Sequence, residues 1–291
     1  MKTTIQNLLK TANAKLKERR NPQLDSMLLL CYVINVDKIY IYTHRDQVID
    51  METVDKFYKL VEKRSKGYPL QYIIKKQEFM GLDFFVDEGV LVPRPDTEIL
   101  VESIIKLVNE SNMRDKDNIN IVDIGTGSGA ITLSLAHYIK NAFIYSIDIS
   151  QDALNIAKRN CKNLRLENRV EFLNGDLFKP LENLYKEKEI DIIVSNPPYI
   201  PTKDITNLEV EVSQYEPKLA LDGGIDGLNY YKKIIEQAPN YLKANGILAL
   251  EIGYNQGKDL KKLLQQIGKF DNIEIKKDLA GHDRVVIAML K

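Results

Sequence analysis

The amino-acid sequence predicts an α/β fold. A mostly parallel sheet, covered by helices on both faces, ends in an antiparallel C-terminal strand and follows a small α-helical bundle and a β-hairpin linker. Three observations predict this. From about residue 93, apolar runs of strand length alternate with helix-length segments, the pattern of a parallel sheet buried on both faces. The first 75 residues repeat their apolar positions at helical spacing. Between these parts, "EFMGLDFFV" reads as two short strands bent at Gly81. The expected divisions are a helical domain over 1–75, a hairpin linker over 76–92 and a sheet domain over 93–291.

Within the bundle, Ile5, Leu8, Leu9, Ala12 and Leu16 mark the first helix. Asn21-Pro22 opens a second, with proline where a free N–H is not needed. Asp37 is placed to cap a short third helix. A fourth runs through Val54, Phe57, Tyr58 and Val61 and stops at Gly67. In the sheet domain the strands are "INIVDIG", "AFIYSIDI", "RVEFLNGD", "IDIIVSN" and "GILALEIG". "NIEIKKDL" and "RVVIAML" are separated only by "AGHD", so they pair as a hairpin and bring an antiparallel strand into the sheet.

Composition narrows the class of protein. The chain has 291 residues, of which 44% are hydrophobic and 28% charged, the balance of a globular protein. Its most apolar stretch, "MLLLCYVINV", is about half the roughly 20 residues that a membrane span needs. The polar N-terminus carries no signal-peptide pattern, and a cytoplasmic location is expected. Cys31 and Cys161 stand in no metal or redox spacing, and no metal is expected. Formal charge is zero overall, yet residues 1–75 hold fourteen Lys and Arg against eight Asp and Glu, a net of +6 that leaves −6 for the rest. A basic module beside an acidic body suits an acidic partner, and a solvated helical surface would have the same composition.

"VDIGTGSGAI" places Gly125, Gly127 and Gly129 between a strand and a helix, where backbone passes close to a ligand and helix N–H groups are free. Spacing alone fits two loops. Gly125-x-Gly127-x-x-Ala130 satisfies the dinucleotide fingerprint. The same residues fit the acid-x-Gly-x-Gly-x-Gly loop of S-adenosylmethionine (SAM) methyltransferases, with Asp123 as the acid. The second strand ends in Asp148, placed for ribose hydroxyls in either case. The third leads to Gly175-Asp176, where a carboxylate can accept from an adenine amino group.

The fourth strand bears on the chemistry. It runs into Asn196-Pro197-Pro198-Tyr199, and ligands of open α/β sheets lie beyond the strands' carboxyl ends. An NH₂ group on an sp² carbon is a poor nucleophile because its lone pair is delocalised. Two acceptors, the Asn196 side-chain oxygen and the Pro197 carbonyl, would grip both N–H bonds and aim that lone pair at an electrophilic methyl. Pro197 and Pro198 fix φ, so little freedom is lost on binding. Tyr199 can stack on the planar substrate and stabilise the positive charge growing on nitrogen. Positioning and electrostatics would carry the catalysis. None of His44, His137 and His282 sits in a recognisable triad or metal spacing. Adenine N6, cytosine N4 and a glutamine carboxamide all present this geometry, so the motif leaves the substrate open.

The chain as a whole resembles the bacterial release factor glutamine N5-methyltransferases, the PrmC/HemK family. The motifs that carry the resemblance run in order: "GYPLQYI", "VPRPDTEILVE", "DIGTGSGAI", "SNPPYI", "EPKLALDGGIDGLNYY", "LEIGYNQ" and "GHDRVV". The resemblance implies a Rossmann-like class I SAM-dependent methyltransferase sheet. It also implies transfer of the SAM methyl to the Gly-Gly-Gln glutamine of class I peptide chain release factors, with S-adenosylhomocysteine as product. Gly125, Thr126, Gly127, Ser128 and Gly129 would line the SAM loop, with Asp123 below it, and Asp148 would hold the ribose. Asn196, Pro197, Pro198 and Tyr199 would hold the glutamine, Asn196 also facing the cofactor. Several relatives set a tryptophan against the adenine; this chain has no Trp, and its "GDLF" offers Asp176 and Leu177 there, with Phe178 beside them. The helical domain would help to hold the release factor, and the enzyme is expected to be a monomer. The alternative is a nucleic-acid amino-methyltransferase using the same tetrapeptide. The acidic balance of the sheet domain argues against it, because duplex binding needs a basic stripe. A non-enzymatic SAM-binding module would not need the grip of the tetrapeptide, and an NAD oxidoreductase would need a hydride-transfer acid or base. In "PRPDTE", Asp96 is expected to cap a helix starting at Thr97, and the segment is also expected to fold over the cofactor end of the site.

Overall fold

In the computed structural model, which describes residues 3–182 and 189–291, the chain forms two units. The first comprises Met1–Lys76 together with Leu208–Tyr215, and the second Gln77–Asn207 with Glu216–Lys291.

The first unit is helical. Helix α1 (Ile5–Lys15) begins at Thr4, whose hydroxyl accepts from the Asn7 N–H, and it buries Ile5, Leu8 and Ala12. Helix α2 (Pro22–Ile34) has its proline at the first turn and stops at Asn35, which takes the left-handed conformation at φ 55°. Asp37 caps α3 (Lys38–Thr43) by accepting from the Tyr40 N–H at 2.7 Å, and Asp50 caps α4 (Met51–Ser65) in the same way through Thr53. Helix α5 (Leu70–Ile74) follows Gly67, which adopts φ +94°.

The segment 208–215, with its short helix Val210–Tyr215 (α9 in chain order), packs into this unit. The sequence reading of 93–291 as one continuous domain did not foresee this excursion. The reason is electrostatic as well as steric. Arg64 is 4% exposed, and it donates from Nε to Asp25 Oδ2 at 2.6 Å and pairs through Nη2 with Glu211 Oε1 at 2.7 Å. A guanidinium so deeply buried needs carboxylate partners, and only one of them lies in the first helices. Tyr215 completes the contact with its ring edge-on to Tyr68 at 5.1 Å.

Arg64→Met should therefore destabilise this unit by about 2–3 kcal/mol in urea titration. That lies below the usual ~3–5 for one partner lost from a buried pair, because Asp25 can take up a proton. Burial already raises the Asp25 carboxyl above its ordinary range. An unchanged urea midpoint would show that the pair contributes nothing net.

The second unit begins with the hairpin β1 (Gln77–Phe79) and β2 (Leu82–Phe84), turned by Met80 and Gly81 at φ 52° and 68°. Two successive positive φ values match the twist of a two-residue hairpin. The Glu98 carboxylate accepts from the Met80 N–H at 2.7 Å, and Phe79 and Phe84 are buried in the core of this unit. The main sheet has seven strands in the order β5-β4-β3-β6-β7-β9-β8. Strands β3 (Ile119–Ile124), β4 (Ala142–Asp148), β5 (Val170–Asn174), β6 (Ile190–Ser195) and β7 (Leu242–Glu251) are parallel. Strand β9 (Asp283–Leu290) lies antiparallel between β7 and β8 (Phe270–Lys277).

One core packs α6 (Pro95–Glu110), α7 (Ala130–Tyr138) and Cys161 of α8 (Gln151–Leu164) against Ile119 and Ile121. The other packs α10 (Asn229–Gln237) and α11 (Gly257–Ile267) against Val122 and Ile124. Alternate residues of one strand thus face opposite helical layers. The chain leaves β3 for β4 on one side and returns to β6 on the other, which makes the carboxyl ends of β3 and β6 the topological switch point. Among the described residues no helix is long and apolar enough to cross a membrane.

Candidate active site

A pocket opens at that switch point. Its floor is the turn from β3 into α7, where Gly125, Gly127 and Gly129 adopt φ of +80°, +56° and +84°. A Cβ on Gly127 would meet nothing within 4 Å, and one on Gly125 would stand 3.9 Å from the Asn196 carbonyl. Both positions open onto free space. Gly129 differs: its Cβ would press on Leu133 at 3.1 Å and on Ala157 at 3.2 Å, so it allows the close helix packing behind the loop.

Gly125, Thr126, Gly127 and Ser128 line the pocket, together with Asp148, Asp176, Leu177, Asn196, Pro197 and Pro198. Asp148 accepts from the Gly127 N–H and from the Ser150 N–H, both at 2.8 Å, so its carboxylate is held against the glycine turn. Burial raises its carboxyl above the ordinary range, while those two N–H groups hold it down. Leu177 is 8% exposed with φ +52°, and it joins Ile124, Ile147 and Ile149 in an apolar wall. Phe178 turns the other way and stacks on Tyr241 at 4.8 Å.

Asp123 and Gly129 do not line the pocket. Asp123 continues the face of β3 that carries Ile119 and Ile121, and it is wholly buried beneath the loop. Its Oδ2 accepts from the Thr132 hydroxyl; its Oδ1 has no partner among the described residues, and burial pushes the carboxyl up to about 7. The hydroxyls of Thr126, Ser146 and Thr132 form a chain beside it that ties the glycine turn to β4.

The tetrapeptide follows directly after β6, with Asn196 the first residue beyond the strand. The Asn196 carboxamide donates from Nδ2 to Thr97 Oγ1 at 3.3 Å. Tyr199 is absent from the pocket lining. Its ring packs on the second core, and its hydroxyl donates to Glu251 Oε1 at 3.4 Å.

The segment "LDGGIDG" forms the support of the tetrapeptide. Ile200 and Asp222 make a parallel bridge, the Gly223 N–H donates to the Ile200 carbonyl at 2.8 Å, and Gln256 Nε2 donates to the Tyr199 carbonyl at 3.0 Å. Arg94 clasps this region to the entry of α6 by donating to both Glu216 oxygens at 2.7 Å.

The expected capping by Asp96 does not occur. Pro95 already occupies the first turn, so α6 starts before Thr97 and Arg94 is the cap residue. Asp96 lies in the first turn, where a negative charge complements the helix dipole, and it pairs with Arg284 at 3.2 Å. Sequence reasoning missed Thr97, Tyr230 and Glu251. Thr97 and Tyr230 line the pocket, and Glu251 lies buried at the end of β7. All three lie in motifs quoted for the resemblance, Thr97 in "VPRPDTEILVE", Tyr230 in "EPKLALDGGIDGLNYY" and Glu251 in "LEIGYNQ", but none was singled out as a site residue.

A parallel sheet with an antiparallel seventh strand, a glycine turn at the switch point and an acid ending the next strand define a class I SAM-dependent methyltransferase. Residues 115–278 match the family described as Methyltransferase domain, and residues 7–74 match PrmC N-terminal domain. The human methyltransferase 10 domain containing protein shares the fold, with a TM-score of 0.53 and 17% identity over 72% of this chain and 88% of that one. The release factor glutamine methyltransferase of Clostridium acetobutylicum is 42% identical over 98% of both chains. That of Bacillus cereus is 38% identical over 99% of both. The chain belongs to the release factor glutamine methyltransferase family.

Proposed function

We propose that this protein transfers the methyl group of SAM to N5 of the glutamine in the Gly-Gly-Gln motif of class I peptide chain release factors, supporting translation termination. The observation that carries the reading is the Asn196–Tyr199 tetrapeptide at the end of β6, beside a glycine turn with open space before Gly125 and Gly127. The lining suits SAM: the Asp148 carboxylate would take the ribose hydroxyls, Leu177 and Ile149 would give adenine an apolar wall, and Asp176 would accept from its amino group. Bound SAM supplies the electrophilic methyl.

The chain's own residues hold the nucleophile. Asn196 Oδ1 and the Pro197 carbonyl accept from the two N–H bonds of the glutamine amide, which draws the nitrogen toward a pyramidal geometry. Pro197 and Pro198 keep this pair of acceptors rigid. Tyr199, whose ring packs on the second core and whose hydroxyl donates to Glu251, anchors the end of the tetrapeptide. No base is required before transfer, because the amide proton becomes acidic only once the new C–N bond has formed.

In this reading the helical unit helps to hold the release factor, the enzyme acts as a monomer in the cytoplasm, and nucleic acid is not bound directly. The test is methyl transfer from labelled SAM to a purified release factor and to its Gln→Ala form, with DNA and ribosomal RNA in parallel. Label on the normal factor alone is expected. Label on nucleic acid alone would replace the substrate while keeping the chemistry.

A further inference from the structure

Asn160 of α8 ties together two stretches of backbone that border the cofactor pocket. The residue is wholly buried. Its Oδ1 accepts from the Phe85 N–H at 2.7 Å, while Nδ2 donates to the Phe85 carbonyl and to the Ser128 carbonyl, both at 2.9 Å. Phe85 lies just past the end of β2, outside the ladder of the small hairpin, and Ser128 lies in the glycine turn. The carboxamide serves the Phe85 backbone as a neighbouring peptide unit does in a sheet, and its second N–H reaches the turn. Only one orientation does this. Turned over, the NH₂ would meet an N–H and the oxygen would meet two carbonyls.

Both stretches belong to one pocket. From Phe85 the chain runs as a strap to the start of α6. Gly89, Val90, Leu91 and Arg94 of this strap line the pocket, as Gly125 and Ser128 of the turn do. Helix α8 is the seat of the strap. A Cβ on Gly89 would stand 3.3 Å from Ile156 Cδ1 and 3.5 Å from Asp152 Cβ, and the Arg159 guanidinium lies 3.5 Å over the Phe85 ring. Asp152, Ile156 and Asn160 recur every four residues, so they form one stripe along the helix. At its other end the strap is held by Arg94 on Glu216. Leucine would fill the space of Asn160 about as well, but it would take away the partner of one N–H and two carbonyls.

We propose that Asn160 is a positioning residue for the cofactor: it holds the strap and the glycine turn in register and so sets the opening in which SAM binds. The inference rests on the reading of this pocket as the SAM site. Asn160 does not itself line the pocket, so it acts through Phe85 and Ser128.

The test measures SAM affinity by calorimetry in wild type, Asn160→Asp and Asn160→Leu across a range of pH, with circular dichroism confirming the fold at each point. In mildly alkaline solution the new carboxylate of Asn160→Asp can still accept from Phe85, but its second oxygen faces two carbonyls. Its Kd for SAM should be weaker than that of wild type by roughly 10- to 100-fold. As pH falls the carboxyl takes up a proton, which burial favours, and it donates again to one carbonyl. The ratio of variant to wild-type Kd should therefore drop back toward one. In Asn160→Leu it should stay high at every pH. Asp87, Asp148, Asp152 and Arg159, the charged groups bordering the strap and the turn, are common to all three proteins, so the ratio isolates residue 160. Asn160→Asp with wild-type affinity throughout, or with a weakened affinity that acid does not restore, would overturn the proposal. Hydrogen exchange in wild type needs no variant. At about ten times the Kd of SAM, the Phe85 amide should exchange about tenfold more slowly. An unchanged rate would show that the strap is not coupled to the site and would also overturn the proposal. Wild type that binds no SAM would overturn the reading of the pocket and this inference with it, whereas SAM bound equally by wild type and Asn160→Asp sinks this inference alone.

Discussion

Replacing Asn196 by alanine is expected to lower kcat for methyl transfer by about 10²–10³-fold while SAM affinity stays close to wild type. The magnitude is that of removing one preorganised hydrogen-bonding group from a reacting centre. The two effects separate because, among the described residues, the side chain has a single hydrogen bond, to Thr97, whereas the glycine turn and Asp148 are held by contacts of their own. The loss should appear in kcat more than in KM for the release factor, since gripping an amide nitrogen matters most as it pyramidalises. Calorimetry with SAM and steady-state kinetics on the same preparation would check both halves. A kcat within a few-fold of wild type would remove Asn196 from the chemistry. A large loss of SAM affinity would make it a cofactor residue instead.

Much of this arrangement was legible in the sequence, and the failures share a cause. Strand and helix alternation, the glycine turn and the tetrapeptide are local patterns, each read within about ten residues of chain. The residues that were missed work across the chain. Thr97 meets Asn196 over a separation of 99 residues, and Glu251 meets Tyr199 over 52. Arg64 finds Glu211 only because 208–215 leaves the sheet unit, and nothing in "LEVEVSQY" announces that departure.

Asp123 is a different case, since its position could have been read. It follows Ile119 and Ile121 at the two-residue period of a strand, so its side chain shares their buried face rather than the pocket. Asp96 was assigned as a cap by residue type, but Pro95 preset the helical φ one residue earlier. Local rules gave the right helix with the wrong first residue, a common margin at helix ends.

The glycines of "LDGGIDG" lead to the second large effect. Gly223 has no need of a left-handed conformation, so its small size must answer to its neighbours. A Cβ there would lie 2.8 Å from the Pro198 carbonyl oxygen, 2.8 Å from Tyr199 Cα and 2.9 Å from Gly227 Cα. All three are backbone atoms, so no side chain can swing aside to make room. Gly223→Ala must push the tetrapeptide or its supporting segment outward. That overpacking should cost about 1–3 kcal/mol in stability. The larger effect should be catalytic, because a displacement of about 1 Å at a positioning group can cost ~10²-fold in rate. A control separates the two. Gly268 ends α11 at φ +68° with nothing within 4 Å of its Cβ position. Gly268→Ala should lose about 1–2 kcal/mol through backbone strain alone and keep its kcat. If Gly223→Ala loses stability yet methylates at the wild-type rate, the segment supports the fold without setting the geometry of the grip. A rate loss confined to Gly223→Ala would tie "LDGGIDG" to the placement of the Pro197 carbonyl and the Asn196 carboxamide together.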